Sequence, residues 1–412
     1  MKLKKIMSFA AICMLLASCG DNNRVGGELT KEVKDAMTLT YDELIAKAKE
    51  EVGDGTVNVY GNSSQLVTAI EKFTEETGIK VQNNKLGDAE LYATLSPAFS
   101  SKTYIADMVL LQDGNMLQSQ MLDTGYLLNY VPKEALDNLA EDDRAPMSAV
   151  YLNKVFMYNN TKDGEAGALK NYLTNVWQLA GTAADGEKHI SNLSFKTPST
   201  ENVNMNFLVM LTSDAWVKKL EAAYKSYYGK DYAPTAEEKK EFPNIGYKFI
   251  AEFLTNSVAH KSDGTACKEA AKTTNSGAMA LVNYNKIKDL KEEGVGKEDV
   301  NNLSFPSLEL GDTLVEGFGG FCYKMYSMVA ANAKYPYAAC ALVNYITSKA
   351  GFENAWGAKA GYYSTNKTTK IASNDKELSW WKQRLVIEDP EYVSANYRDV
   401  QMLVAKYEKQ AA

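Results

Sequence analysis

Residues 56–64 read TVNVYGNSS, a short run rich in β-branched and aromatic residues that ends in a polar turn. This composition predicts a strand followed by a loop. Apolar residues then recur at helical spacing (Leu66, Ile70 and Phe73) and predict a helix. A second short strand is predicted at 79–81. The order strand, turn, helix, strand predicts a βαβ unit, the building block of a parallel sheet.

Working outward, a helix is predicted over 90–100, followed by MVLL at 108–111, a continuous apolar run typical of a buried parallel strand. In parallel α/β sheets the ligand crevice lies outside the carboxyl ends of the strands. The residues that follow the predicted strands are therefore candidate ligand contacts, namely Asn62, Ser63, Ser64 and Asp113. Two simpler roles compete: either serine would also suit a helix cap, and Asp113 begins an Asp-Gly turn dipeptide.

The second half of the chain supplies further candidates. The segment TPSTEN at 197–202 joins a predicted strand to a predicted helix, and the run 278–282 precedes a polar segment. The glycine-rich segment 316–320 is explained slightly better as a bend between strands. The candidate ligand contacts from these regions are Ser199, Glu201, Asn202, Tyr284, Glu316 and Tyr363.

The first twenty residues predict export. A basic start precedes a mostly apolar run at 6–16, which ends in LASCG at 16–20. A positive segment, an apolar run and small residues at a cleavage point are typical of a secretory signal, and the run is too short to span a bilayer comfortably. The LASC sequence resembles a bacterial lipobox. That resemblance implies a signal peptide over 1–18, a diacylated Cys19, a flexible tether over 19–37, and membrane contact through the lipid anchor alone.

Composition excludes several functions. The chain has 412 residues and a formal charge of −7, which disfavours nucleic acid as a partner. Only two histidines are present, and no Cys/His spacing suggests a metal, so neither metal nor cofactor is predicted. Enzyme motifs such as G-x-S-x-G and H-E-x-x-H are missing from the sequence, so we expect a protein that is not an enzyme. Cys322 and Cys340 are predicted either to form a bridge or to stay as buried thiols.

Five blocks, in this order, resemble the bacterial extracellular solute-binding proteins of ABC importers. They look closest to the branch that binds ferric ion, thiamine and polyamines. The blocks are TVNVYGNSS at 56–64 with FTEETGIKV at 73–81, ADMVLLQD at 106–113, VFMYN at 155–159, YPYAAC to YITSKAG within 335–351, and GYYSTN at 361–366. The last block has Ser364 where that family often has proline.

The resemblance implies an α/β, two-lobed fold of the periplasmic-binding-protein type II class, with hinge strands between the lobes. It implies crossings near 155–158, 304–307 and 361–365. The expected lobes are 38–154 plus 308–358 for lobe 1, and 158–303 plus 366–412 for lobe 2.

The same resemblance implies the function. It predicts an exported, monomeric substrate-binding lipoprotein, anchored on the periplasmic or cell-surface face, that captures a small ligand between the lobes and delivers it to an ABC permease. A polyamine, a sugar or another polar solute would fit. A sensory receptor with the same fold is an alternative. A ferric-ion binder is another, but ferric binders use adjacent tyrosine phenolates, and here the matching segment 283–285 reads NYN.

Overall fold

The computed structural model describes residues 25–162, 165–166, 173–180, 190, 192–272, 277–286, 303–357, 359–373 and 375–409. Cys19 and the signal segment lie outside these residues. The described chain is a mixed α/β structure built on a curled sheet of twelve strands, with a separate two-stranded sheet formed by Thr161–Lys162 and Glu165–Ala166. Its strands are β1 Val57–Gly61, β2 Val81–Lys85, β3 Met108–Leu111, β4 Leu127–Leu128, β5 Ser148–Asn159, β6 Thr161–Lys162, β7 Glu165–Ala166, β8 Asn192–Lys196, β9 Ser257–His260, β10 Ala278–Asn283, β11 Leu303–Ser304, β12 Gly320–Ala330, β13 Tyr362–Ser364 and β14 Val386–Ile387.

Helices cover the sheet. They are α1 Lys31–Ala36, α2 Tyr41–Val52, α3 Ser64–Thr77, α4 Asp88–Ser100, α5 Gly114–Met116, α6 Asn202–Met210, α7 Asp214–Tyr228, α8 Ala236–Glu241, α9 Ile245–Asn256, α10 Asp263–Ala271, α11 Pro306–Glu309, α12 Pro336–Thr347, α13 Lys349–Ala355, α14 Leu378–Lys382 and α15 Pro390–Tyr407. Short 3-10 segments occur at Lys133–Asn138, Glu141–Asp143 and Val176–Leu179, and a π-helical segment at Leu117–Leu122.

The strand order explains the two lobes. The main path runs β2-β1-β3-β12-β5-β10-β8-β9. On one side, β1 pairs in parallel with β2 and β3. On the other, β8 pairs in parallel with β9 and β10. Two parallel sheets therefore meet at a central antiparallel pair, β5 and β12, and this arrangement is the two-lobed α/β fold expected from the sequence.

Strands β5 and β12 pass from one lobe into the other. The last residues of β12 pair with β3 of lobe 1, with Met328 opposite Val109. The last residues of β5 pair with β10 of lobe 2, with Phe156 opposite Leu281. Between these ends β5 and β12 pair with each other, with Tyr323 opposite Leu152. The two long strands therefore connect the lobes.

Local chemistry explains where several elements begin and end. Residues 40–43 read TYDE, a spacing that predicts a capping box, and Thr40 and Glu43 form it at the start of α2. Helix α3 ends at Gly78, whose φ of 76° lies in the left-handed region that favours glycine. All four residues of β3 are buried, as a strand covered on both faces requires.

The expected crossing near 304–307 does not form. Ser304 pairs with Tyr158 on the lobe 2 end of β5, so the chain has not left lobe 2 at this point. Phe318, expected in lobe 1, instead packs edge-on against Phe207 and Phe249 of the lobe 2 core. The second passage between lobes is made by β12, because burying Phe318 holds the preceding segment over lobe 2.

The expected tether over 19–37 is shorter than predicted. Thr30 caps α1, and Val33 and Ala36 of that helix are fully buried. Gly26 pairs with Leu128 of lobe 1. The sequence pattern does not predict this helix, because α1 has only a few apolar residues among charged ones. Across the described chain, no helix combines the length and the apolar character needed to cross a membrane.

Candidate functional site

Polar residues from both lobes meet at the carboxyl ends of the parallel strands. Asp113 follows β3 in lobe 1, and α6 follows β8 in lobe 2. The Asn202 side-chain amide donates to Asp113 Oδ2 at 2.6 Å, and the Asn206 amide donates to Asp113 Oδ1 at 2.9 Å. The two asparagines are four residues apart, so they share one helix face. The lobes are therefore in direct contact through both oxygens of Asp113.

Asp113 is held by neutral donors in a buried position. It caps α5 by accepting from the Met116 backbone N–H at 3.3 Å, and its side chain is fully buried. The Tyr92 hydroxyl donates to its backbone carbonyl at 3.1 Å. Burial raises the pKa of Asp113 to about 6, although the amide donors oppose the shift.

A second buried carboxylate, Glu388, shares Asn206 with Asp113. The Asn206 amide nitrogen donates to Glu388 Oε1 at 2.9 Å, and the Tyr326 hydroxyl donates to Oε2 at 3.0 Å. The Gly114 backbone N–H approaches Oε1 at 3.4 Å. Burial raises the pKa of Glu388 to about 7. We refer to Asp113, Asn202, Asn206 and Glu388 as the clasp.

Next to the clasp, a set of ion pairs lies where the crossing strand β5 passes between the lobes. Lys154, on β5, is buried and lies 3.3 Å from Asp263 and 3.5 Å from Glu201. Lys196 also pairs with Glu201. Burial alone would raise the pKa of Glu201, but Lys154 and Lys196 hold it below its ordinary value. We refer to Lys154, Lys196, Glu201 and Asp263 as the floor.

In lobe 1, Asp88 at the start of α4 faces the floor. Its carboxylate accepts from the Asn62 side-chain amide. Desolvation, followed by the negative charges of Glu201 and Asp113, raises the pKa of Asp88 to about 7. Asp88 is therefore the lobe 1 group that lies between the clasp and the floor.

The structure brings together some of the residues that the sequence predicts. Asn62, Asp113, Glu201 and Asn202 belong to this region. Ser63 precedes α3, and its hydroxyl donates to Gln65 at 3.3 Å. The Ser64 hydroxyl accepts from Lys85 at 2.8 Å. Both serines lie next to Asn62 in the same turn.

The other predicted residues lie outside the clasp and the floor. Ser199 is exposed, and its backbone N–H donates to Glu408 at 3.3 Å. Glu316 accepts from Asn175 at 2.6 Å and from Ser226 at 3.0 Å, so it joins parts of lobe 2. These contacts agree with the alternative interpretation of segment 316–320 as a bend, in which Glu316 has a structural role and does not contact ligand.

Two predicted tyrosines belong to an aromatic cluster near the hinge. Tyr284 packs edge-on against Phe305, with ring centroids 5.0 Å apart, and against Trp381 at 5.7 Å. Tyr363 is buried and donates to Asp375 at 2.7 Å. The neighbour of Tyr284, Asn283, instead donates its amide to the Tyr323 hydroxyl at 3.0 Å.

Tyr323 links this strand to the floor. Burial raises the pKa of Tyr323, and so do the nearby charges of Glu201 and Asp263. Asn283, rather than Tyr284, is therefore the β10 residue nearer the floor.

Sequence reasoning missed Asp88, Lys154, Asn206, Asp263 and Glu388. Three of them follow the rule used for the other candidates, because Asp88 comes after β2, Asp263 after β9 and Glu388 after β14. Lys154 stands within a buried strand, and a charged residue in an otherwise apolar run is itself a signal. Asn206 gives no signal, because an asparagine inside a helical pattern looks like a surface residue.

The remaining expectations concern cysteines and metals. Cys267, Cys322 and Cys340 are all buried and free, so the possible Cys322–Cys340 bridge is not formed. Among the described residues, no group of three or more histidine, cysteine and acidic side chains is placed to hold a metal ion.

Comparisons with known proteins give similarity at the level of fold. No protein-family model matches the chain. The search of curated proteins also found no match. Among solved structures, the chain is similar to the Campylobacter jejuni ferric binding protein, with 12% identity, a TM-score of 0.60, and coverage of 85% of this chain and 99% of that one.

Two other solved structures are similar in the same way. Iron-bound HitA from Pseudomonas aeruginosa has 16% identity and a TM-score of 0.56, and it covers 85% of this chain and 99% of its own. The periplasmic binding protein AfuA from Actinobacillus pleuropneumoniae, with fructose-6-phosphate bound, has 14% identity and a TM-score of 0.55, and it covers 86% of this chain and 98% of its own. At these identities the similarity shows the fold, which is that of the two-lobed periplasmic binding proteins.

Proposed function

We propose that this chain, which has the two-lobed periplasmic-binding-protein fold, is the substrate-binding component of an ABC importer. It captures a small polar ligand between the lobes and passes it, unchanged, to a membrane permease. The observation that supports this most strongly is the contact of Asp113 with Asn202 and Asn206, because it joins opposite lobes at the carboxyl ends of their strands. That edge is where α/β sheets bind ligands.

The charge balance of the region favours a ligand that carries a protonated amine, such as a polyamine. Acidic side chains from both lobes outnumber the lysines that contact them. The acids are Asp88, Asp113, Glu201, Asp263 and Glu388, and the lysines are Lys154 and Lys196. A cation entering beside Asp88 would meet attraction without displacing an ion pair, because the hydrogen-bond partner of Asp88 is the neutral amide of Asn62. A sugar would use the same groups as hydrogen-bond acceptors.

The tyrosines of this chain do not support the ferric-ion alternative. The pair Tyr362 and Tyr363 is divided between different partners, since Tyr362 donates to Gln65 at 3.3 Å and Tyr363 to Asp375 at 2.7 Å. Tyr227 and Tyr228 lie in lobe 2 helix α7, packed edge-on against each other. Neither pair points both hydroxyls toward the clasp or the floor.

The location and the partner of the protein are part of the proposal. A lipid on Cys19 would hold the protein at a membrane face, and mass spectrometry of the mature N-terminus tests this directly. A sensory receptor would bind ligand through the same residues. Permease and ATPase genes beside this one support transport, whereas a histidine kinase or chemoreceptor gene supports sensing.

A thermal-shift panel of polyamines, sugars, amino acids, vitamins and metal ions tests the ligand. A ligand that binds the folded state at a hundredfold excess over its Kd adds about 2.7 kcal/mol of stability, which raises the melting temperature. We expect spermidine or a related amine to do so in the wild-type protein, and Asp88→Asn to weaken the effect. Asp231→Asn is the matched control, because Asp231 is an exposed acid of lobe 2. A flat panel with well-folded protein contradicts the proposal.

A further inference from the structure

The clasp places two buried carboxylates on one amide nitrogen. Asn206 Nδ2 lies 2.9 Å from Asp113 Oδ1 and 2.9 Å from Glu388 Oε1, so the two oxygens are at most twice that distance apart. Both side chains are removed from water, with Asp113 fully buried and Glu388 4% exposed. Two negative charges this close in a desolvated site repel each other strongly.

Within the part of the chain that the structure describes, none of the donors that contact the pair carries a charge. The donors are the amides of Asn202 and Asn206, the Tyr326 hydroxyl, and the backbone N–H groups of Gly114, Asn115 and Met116. They solvate the carboxylates but do not neutralise the charge of either one. Lys196 is not among these donors, because it pairs with Glu201 in the floor.

The titratable groups that face the pair are neutral or negative. From α4 they are Asp88 and Tyr92, from β12 they are Cys322 and Tyr326, and from α15 it is Tyr397. Beyond Asp88 lie Glu201 and Lys196 of the floor. The surroundings therefore favour loss of one negative charge from the pair.

The Tyr326 hydroxyl is the second observation. It lies 3.0 Å from Glu388 Oε2, and both groups are buried. A hydroxyl can accept a hydrogen bond as well as donate one. When Glu388 carries a proton on Oε2, the hydroxyl can therefore turn and accept from it, while the Asn206 amide keeps both of its contacts at 2.9 Å.

We propose that closing the lobes takes up a proton on the pair of carboxyl groups, Asp113 and Glu388, that the Asn206 amide joins. Glu388 and Asn206 are then positioning residues that hold the closed form, and the state of the cleft depends on pH. The inference rests on the proposed function only in requiring that the lobes move apart and together.

The direction of the pH dependence follows from the two states. When the lobes separate, Asp113 parts from Asn206 and regains water, so its pKa returns towards about 4. In the closed form, burial holds the pKa of Asp113 at about 6 and that of Glu388 at about 7. The closed form therefore binds more protons. Its population relative to the open form should fall by about tenfold per pH unit between pH ~5 and ~7, and level off above.

A distance measurement without ligand tests this. Spin labels on Glu71→Cys in lobe 1 and Lys239→Cys in lobe 2 report the separation of the lobes by double electron–electron resonance. Both positions are exposed, and the three described native cysteines are buried, which limits labelling elsewhere. The measurement is made without amine and repeated in an Asp88→Asn background, where the slope should persist, because burial and the charges of Glu201 and Asp113 raise the pKa of Asp88 in the closed form and its proton uptake would add to that of the clasp. We expect at least about a tenfold higher closed-to-open ratio at pH 5 than at pH 8.

Variants assign the effect to the clasp. Asp113→Asn keeps the shape and removes the carboxylate whose pKa differs between the open and closed forms, so its ratio should vary much less with pH and stay near the acid value of the wild type. If Asp113→Asn fails to fold, Glu388→Gln should lower the slope, because it removes one of the two acids of the pair. Glu391→Gln, an exposed acid at the start of α15, is the control and should keep the wild-type slope.

Two results overturn the proposal: a wild-type distance distribution that is the same at pH 5 and pH 8, or an Asp113→Asn variant that keeps the slope. The proposed function fails separately. A flat ligand panel rejects it, whereas pH-dependent closing without any ligand hit leaves the clasp standing.

Discussion

The clasp and the floor both bury carboxylates where the lobes meet, but they stabilise these carboxylates in opposite ways. In the floor, Lys154 and Lys196 neutralise Glu201 and hold its pKa below the ordinary value. In the clasp, amides and a hydroxyl contact Glu388, and burial raises its pKa to about 7. Glu201 of the floor therefore keeps its negative charge at neutral pH, whereas the two acids of the clasp have pKa values of about 6 and 7 and can titrate there.

This difference implies different roles: the floor supports the structure, and the clasp responds to conditions. A buried ion pair fixes geometry, because removing either partner leaves an uncompensated charge. A buried acid with neutral partners changes its charge when its surroundings change. We therefore expect the floor to determine whether the protein folds and the clasp to determine how the lobes respond to conditions.

The largest expected effect is on the floor. Lys154→Met leaves Glu201 and Asp263 without their shared cation, so we expect a loss of about 3–5 kcal/mol in the free energy of unfolding, measured by urea denaturation at pH 7. Lys225→Met removes an exposed lysine that pairs with Asp231 and should cost less than about 1 kcal/mol. Equal losses in the two variants would show that the floor is no more than a surface ion pair.

The clasp should show the opposite sign. The pKa of Glu388 is raised in the folded protein, so its contribution to stability falls as pH rises from about 4 towards 7. Glu388→Gln should therefore be more stable than wild type at pH 8, by roughly 1–3 kcal/mol, and about equal to it at pH 5. Thermal or urea unfolding at both pH values measures this. The assignment is contradicted when the stability of Glu388→Gln minus that of wild type is lower at pH 8 than at pH 5.

Asp88 lies between the two regions and should affect ligand affinity. Its pKa is raised to about 7, so it is ionised at pH 8 and mostly protonated at pH 6. For spermidine, Asp88→Asn should weaken binding about tenfold at pH 8, a difference of about 1.4 kcal/mol, and less at pH 6. Isothermal titration calorimetry gives both Kd values. A variant that binds spermidine like wild type at pH 8 removes Asp88 from the site.

The smallest expected effect concerns cross-links. Cys322 and Cys340 are free in the structure, so neither region depends on a disulfide. A reducing agent should leave the melting temperature unchanged within about 1 °C. A bridge would be revealed by a drop of several degrees, because losing a disulfide typically costs 2–5 kcal/mol.

The sequence predicts the fold better than it predicts the site. Strand β3 and the capping box of α2 follow from local patterns, and the order of blocks predicts the two lobes. The boundary near 308 was wrong because it depends on Phe318 packing into a core built by distant helices. Local patterns place Asp113 at a strand end but cannot show that Asn206 meets it from the other lobe.

The site also depends on strand direction and on partners far apart in sequence. Asp88 and Glu388 follow strands, yet Glu388 comes near the end of the chain, and only the return of α15 brings it to Gly114. Tyr284 and Asn283 are adjacent, but Asn283 contacts Tyr323 of β12 whereas Tyr284 joins the aromatic cluster. Successive residues of a strand point to opposite faces of the sheet, so a shift of one residue decides which of the two side chains contacts Tyr323.

The account depends most on the claim that the lobes close around a small ligand. Small-angle scattering of the purified protein, with and without a saturating concentration of the compound that gives the largest thermal shift, tests this directly. The account predicts a smaller radius of gyration with the compound, and for spermidine a shift of the midpoint of this change to about tenfold higher concentration in Asp88→Asn at pH 8. An unchanged radius in the wild-type protein at proven saturation would contradict it.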